Sequence, residues 1–181
     1  MKVVGGDRRT PAEDTKVRFD PEHRSFAVGD LVVYASHGIG RVVSKEPHRG
    51  NGELLVLVFE RDLTVTLPLD RAQNALRSLS GEPELEEVQR TLGCEAAPVP
   101  EHWSRRHRNA QAKLTGGSVS GLAEIVRDGV HRERERSKSG TAPMTNQLYR
   151  QARKLLVAEV AAARGIEPDA ADAWIGRQID S

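Results

Sequence analysis

A chain of 181 residues with 38% hydrophobic and 4% aromatic side chains can form one large or two small domains, with cores of Val, Leu, Ile and Ala rather than rings. Its 27 basic and 26 acidic residues leave a net charge of +1, and it holds one cysteine, which excludes an internal disulfide and a cysteine-based zinc site. The longest apolar run, residues 54–59, is too short to span a bilayer and no apolar leader opens the chain, so a cytoplasmic protein without a membrane partner is expected.

Residues 1–25 mix Gly, Pro, Asp, Arg and Thr with few apolar side chains, a composition that cannot offset the entropy of ordering, and they read as a flexible arm. From Phe26 the texture changes to five short β-branched runs, FAVGDLVVY, GIGRVVSKE, ELLVLVFE, LTVTLP and ALRSL, separated by turn residues. Asn51-Gly52 suits a two-residue type I′ hairpin because both residues tolerate positive φ. Glu60-Arg61-Asp62 makes a second tight connection, and Gly29, Gly38 and Gly40 mark bends or close backbone approaches. With little helix between the strands, residues 26–80 predict a small SH3-like or Tudor-like antiparallel barrel, whose closure hides its edges.

At Gly81 the hydrophobic period changes from two to about 3.6. Glu82, Glu84, Glu86 and Glu87 around Pro83 complement the N-terminal dipole of a helix whose stripe is Leu85, Val88 and Leu92 and whose stop is Gly93. After the break CEAAPVPEH a second helix starts near Trp103 and runs to Leu114 before Gly116-Gly117. A third carries Val119, Leu122, Ile125, Val126 and Val130 into the charged run HRERERSKSG. A fourth runs from about Pro143 to Arg164, with Met144, Leu148, Leu155 and Val160 inward and Gly165 as its stop. Pro168 opens a last short helix that buries Trp174 and Ile175. The fold class is therefore α+β: a small β-barrel followed by a compact all-α domain over residues 81–181.

No catalytic signature emerges. HGIGRVV holds a G-x-G but lacks the third glycine and opens no helix, no phosphate-binding loop is present, and the six histidines never fall at metal-ligand spacing. A non-enzymatic protein without cofactor or metal is expected. Charge is more informative, because residues 101–138 hold nine basic against five acidic side chains while residues 81–100 hold one against five. Such asymmetry marks either a polyanion-binding face or a pair of solvated helices.

The stretch EHWSRRHRNAQAK concentrates this question. On a helix Trp103, His107, Ala110 and Leu114 share a face, so the indole can belong to the core. Alternatively, Trp103 lies in the first turn, just past Pro98 and Pro100, ringed by Arg105, Arg106 and Arg108 with Lys113 further along. Arginines that clamp phosphates around a flat apolar wedge suit a minor groove at a parted base step. The run RERERSK is read first as a solvated face with weak ion pairs, and second as a secondary phosphate contact by Arg132, Arg134, Arg136 or Lys138.

The segments VGDLVVYASHGIGRVVSKE, LTVTLP, WSRRHRN and LAEIVRD, in that order over about residues 26–164, resemble the CarD/CdnL family of bacterial RNA-polymerase-binding transcription regulators. The resemblance implies a Tudor-like domain that docks on the polymerase β subunit by β-strand addition along Leu63, Thr64, Val65, Thr66 and Leu67. It further implies a helical domain on promoter DNA, with Trp103 wedged at the upstream edge of the transcription bubble and Arg105, Arg106 and Arg108 holding the backbone. A nucleoid-associated monomer that stabilises the open complex without reading sequence follows. Two departures stand out: Thr66 where the family carries arginine, and Ala35 where it carries proline. The alternatives are a protein-interaction adaptor with solvated arginines and a core Trp103, or a divergent paralogue with weakened polymerase binding.

Overall fold

The computed structural model describes residues 25–48, 52–96, 102–138 and 147–180. Its N-terminal half is a five-stranded antiparallel sheet of order β4-β3-β2-β1-β5, built from β1 (Leu31–Tyr34), β2 (Gly38–His48), β3 (Gly52–Phe59), β4 (Thr64–Pro68) and β5 (Leu76–Ser78). Alternation along the strands sends Val32, Val42, Leu55, Leu57 and Leu76 to one face, where they bury with Phe26, Phe59 and Ala72. Gly40 pairs with Phe59, and a Cβ there would stand 2.6 Å from the phenyl ring, so the ring lies flat over bare backbone.

Several expectations from sequence need revision. The first strand is shorter than FAVGDLVVY because residues 26–30 form a turn, with the Ala27 amide donating to the Asp30 carboxylate at 2.8 Å and Gly29 at φ 99°. Gly52 already pairs with His48, so Asn51-Gly52 are not the centre of a two-residue turn; the connection itself lies outside the described residues. A seven-residue helix, α1 (Leu69–Ala75), separates β4 from β5 where only strand was expected. It packs on β3, β4 and β5, burying Ala72 and bridging the two ends of the sheet. The 60–62 connection is as expected: one 3-10 turn, with Arg61 and Asp62 at positive φ.

The C-terminal half is all helical: α2 (Glu82–Gly93), α3 (Trp103–Gly116), α4 (Val119–Lys138), α5 (Gln147–Arg164) and α6 (Pro168–Ile179). The Gly81 amide donates to the Glu84 carboxylate at 3.0 Å, satisfying one of the donors that open α2. The stripes read from sequence meet in one core: Leu85, Val88 and Leu92 of α2, Leu114 of α3, Leu122, Ile125 and Val126 of α4, Leu148 and Val160 of α5, and Ile175 of α6. On α5 it is Leu156 that is fully buried, whereas Leu155, expected inward, is only partly buried against this core. Trp174 departs from expectation, since it is only half-buried and lies under the Arg164 guanidinium, 4.1 Å from its carbon. Met144 and residues 1–24 of the expected arm fall outside the described residues.

The two halves are packed together. α5 lies against β2, Gly38 faces Leu155, and Lys154 pairs with Glu60 at 3.2 Å. Gly117, at φ 66° after α3, is pressed on Ala35, where a Cβ would come within 2.6 Å of the alanine methyl. The position at which this chain departs from the proline of the family it resembles is thus a contact between the halves.

Candidate functional site

Two surfaces collect the residues singled out by sequence. The first is the outer edge of β4, which pairs with β3 alone. The pattern TVTLP places Val65 and Leu67 against the sheet core and leaves Thr64 and Thr66 exposed. The Phe59 amide donates to the Leu63 carbonyl at 2.9 Å, which sets the phase of the ladder. Antiparallel pairs alternate between bonded and non-bonded, so Leu63, Val65 and Leu67 turn their backbone polar groups toward β3 and Thr64 and Thr66 turn theirs outward. Leu63 itself precedes the strand and is 45% exposed, adding an apolar side chain beside the open edge. Pro68 ends the row without an N–H and starts α1.

The second surface is the start of α3. Trp103 is its first residue and is 60% exposed, although Ala110 and Leu114 on the same helical face pack into the core. The indole stacks on His107 one turn later, with centroids 5.2 Å apart and planes at 21°. Arg105 and Arg108 occupy the outer face of α3 and are exposed, while Arg106 sits half-buried on the flank.

That flank meets α4. Lys113 forms an ion pair with Glu124, and Arg106 is close enough to Arg132 to act on its charge. Burial holds the Arg132 guanidinium below its usual pKa; Asp128 opposes this, and Arg106 adds to it. The secondary run from Arg132 to Lys138 forms the last turns of α4. Its charges are partly engaged: Arg134 pairs with Asp180 beyond α6, and Lys138 bonds Glu135 at 2.8 Å, which lowers the Glu135 pKa.

The remaining charged contacts are internal. Arg77 and Glu159 join sheet and helices, and Arg153 is held by Asp172 and Tyr149, its pKa raised chiefly by the bond to Asp172. Sequence reading did not single these out, because an arginine and a carboxylate 82 residues apart carry no local signal. Among the described residues no group of His, Cys, Asp and Glu could hold a metal ion, and no helix is long and apolar enough to cross a membrane.

A sheet with an exposed β4 edge, joined to helices that present a tryptophan among arginines, matches two family models. The CarD-like/TRCF RID domain covers residues 26–80 and the CarD C-terminal domain covers residues 87–176. The chain belongs to the CarD/CdnL family. CarD proteins are non-enzymatic transcription regulators that interact with RNA polymerase, and the RID half is Tudor-like. In this member the RID match coincides with the sheet and α1, while the C-terminal match spans most of the helical half, α3 included.

Proposed function

We propose that this CarD-family protein acts as a monomer that bridges the RNA polymerase β subunit and promoter DNA, stabilising the open complex at the upstream edge of the bubble without reading sequence. The β4 edge adds a strand to the polymerase through Thr64 and Thr66, with Leu63 covering the contact. Trp103 lodges in the minor groove while Arg105, Arg106 and Arg108 hold phosphates. Arg132, Arg134, Arg136 and Lys138 of α4 supply secondary phosphate contacts, with Lys113, Arg134 and Lys138 giving up Glu124, Asp180 and Glu135 to join.

The observation that carries this reading is the exposed indole on the first turn of an arginine-bearing helix. Full burial of an indole is worth roughly 4 to 5 kcal/mol at about 25 cal/mol per Å². With 60% of the residue exposed, about 2 to 3 kcal/mol of that remains to be gained in a groove. Unstacking an intact base step costs a few kcal/mol, so the wedge does not melt duplex by itself. It favours a step already parted, which places its effect on the lifetime of the open complex rather than on opening.

Replacing Trp103 by Ala tests this. Open complexes are expected to decay roughly 10-fold faster or more, the equivalent of about 1.4 kcal/mol per decade, while pull-down by the isolated β-subunit lobe is unchanged. Equal lifetimes for Trp103→Ala and the parent would overturn the wedge.

A further inference from the structure

Three segments far apart in sequence meet at one guanidinium, that of Arg77 in β5. Glu159, in the middle of α5, is 1% exposed. Its two oxygens accept from the Arg77 guanidinium of β5 at 2.5 and 2.7 Å, and the Ser80 hydroxyl donates to it at 2.5 Å. The third nitrogen of Arg77, Nε, donates to the Gly117 carbonyl in the α3–α4 turn at 2.8 Å. Arg77 thus uses one planar fork to hold the sheet, α5 and the base of α3 at once. The close seat of Gly117 on Ala35 removes the slack that would let the turn slide.

A buried ion pair is a poor source of net stability, since apolar residues of the same volume often serve as well or better. What four directed bonds supply, and apolar contact does not, is a fixed angle. α3 is 14 residues long, about 21 Å at 1.5 Å per residue, so a rotation of about 10° at Gly117 would carry Trp103 roughly 3 to 4 Å. One base step along a strand is about 3.4 Å. An error of that size would move the indole from one step to the next relative to the sheet.

We propose that the Arg77–Glu159 pair, through its bond to Gly117, is a positioning device that sets the angle between α3 and the sheet and so registers the DNA-facing indole against the edge strand that docks on polymerase. Its functional half rests on the two-partner reading above. Its geometric half does not.

The test uses the full chain with Cys94→Ser and spin labels at Lys45→Cys on the sheet and Gln111→Cys on α3, in otherwise parent, Arg77→Lys and Glu159→Gln backgrounds. Arg77→Lys keeps the charge toward Glu159 while losing the planar fork, so it remains informative should Glu159→Gln fail to fold. The parent is expected to give one narrow distance, and the variants a broadened or shifted one at unchanged helical content. Narrow, unchanged distances in the variants would overturn the proposal. In unlabelled protein, affinities for the β-subunit lobe and for a forked duplex, measured separately, should stay within about 2-fold while open-complex lifetime falls at least about 5-fold. Loss of either separate affinity would instead mark a merely structural pair. Unchanged lifetime in the variants, where Trp103→Ala shortens it, would overturn the functional half. If Trp103→Ala is also without effect, the two-partner reading fails and the distance measurement alone decides the geometry.

Discussion

An indole held 60% exposed gives up burial that the helical core could have supplied, and among the described residues the ring it stacks on is His107. Stacked aromatic pairs are worth about 0.5 to 1.5 kcal/mol, enough to orient a ring and too little to anchor a domain. With about 40% of its surface already covered, Trp103→Ala is expected to lower folding stability by no more than about 2 kcal/mol, a melting shift of no more than about 8 °C for a chain of this length. Scanning calorimetry checks it; a drop beyond about 8 °C would mean that the ring is structural. Iodide should quench Trp103 readily and Trp174, covered by Arg164, weakly. His107→Ala should leave the fold intact and weaken forked-duplex binding by roughly 3- to 10-fold, because the unsupported ring must be ordered on binding. The sequence placed Trp103, His107, Ala110 and Leu114 on one face and left core and surface equally open. Periodicity says which residues share a stripe, whereas what covers each end of the stripe depends on where α4 and α5 lie, which no local pattern encodes.

Elements were more legible where their period was long. The five strands and the helices of the second half follow from alternation and from stripes such as Leu85, Val88 and Leu92. α1 escaped because its seven residues offer too few turns for a stripe, and its formation depends on packing across both ends of the sheet rather than on propensity. The β4 edge permits a test by backbone alone. Thr66 turns its N–H away from β3 by the alternation set at Phe59 and Leu63, so Thr66→Pro removes an outward donor without cutting the ladder to β3. Binding of the β-subunit lobe should fall at least about 10-fold with melting temperature nearly unchanged, read by surface plasmon resonance and a thermal melt. Thr66→Val, which alters only the side chain, should bind like the parent; equal loss from both would assign the contact to the side chain. In the helical half, Gly129 lies where α4 crosses α5, and a Cβ there would fall 2.1 Å from the Tyr149 ring. Helix propensity favours alanine by about 1 kcal/mol, but a clash of this depth reverses the sign. Gly129→Ala is expected to destabilise by about 1 to 3 kcal/mol, seen as a lower urea midpoint at unchanged slope.

At the scale of the whole molecule a net charge of +1 predicts little steering, and DNA affinity must come from how the charges are arranged. Lys113 and Arg134 are matched by Glu124 and Asp180 within the fold, so each phosphate contact they made would release an internal partner rather than add a net cation. Arg132 is held below its usual pKa by burial, with Asp128 opposing and the nearby Arg106 adding to it, and a phosphate between Arg106 and Arg132 would relieve their mutual repulsion. Counting Arg105, Arg106, Arg108 and Arg132 gives about four neutralised phosphates and a log–log salt slope near −3.6, or about two decades of affinity between 50 and 200 mM salt. Fluorescence anisotropy on a forked duplex measures it. Arg132→Gln should reduce the slope by about 0.9, whereas Lys113→Gln should leave it unchanged. The opposite ranking would move the DNA path along α3 toward Gly117 and away from Trp103. A slope near zero would show that affinity comes from the indole alone, leaving the arginines to the solvent.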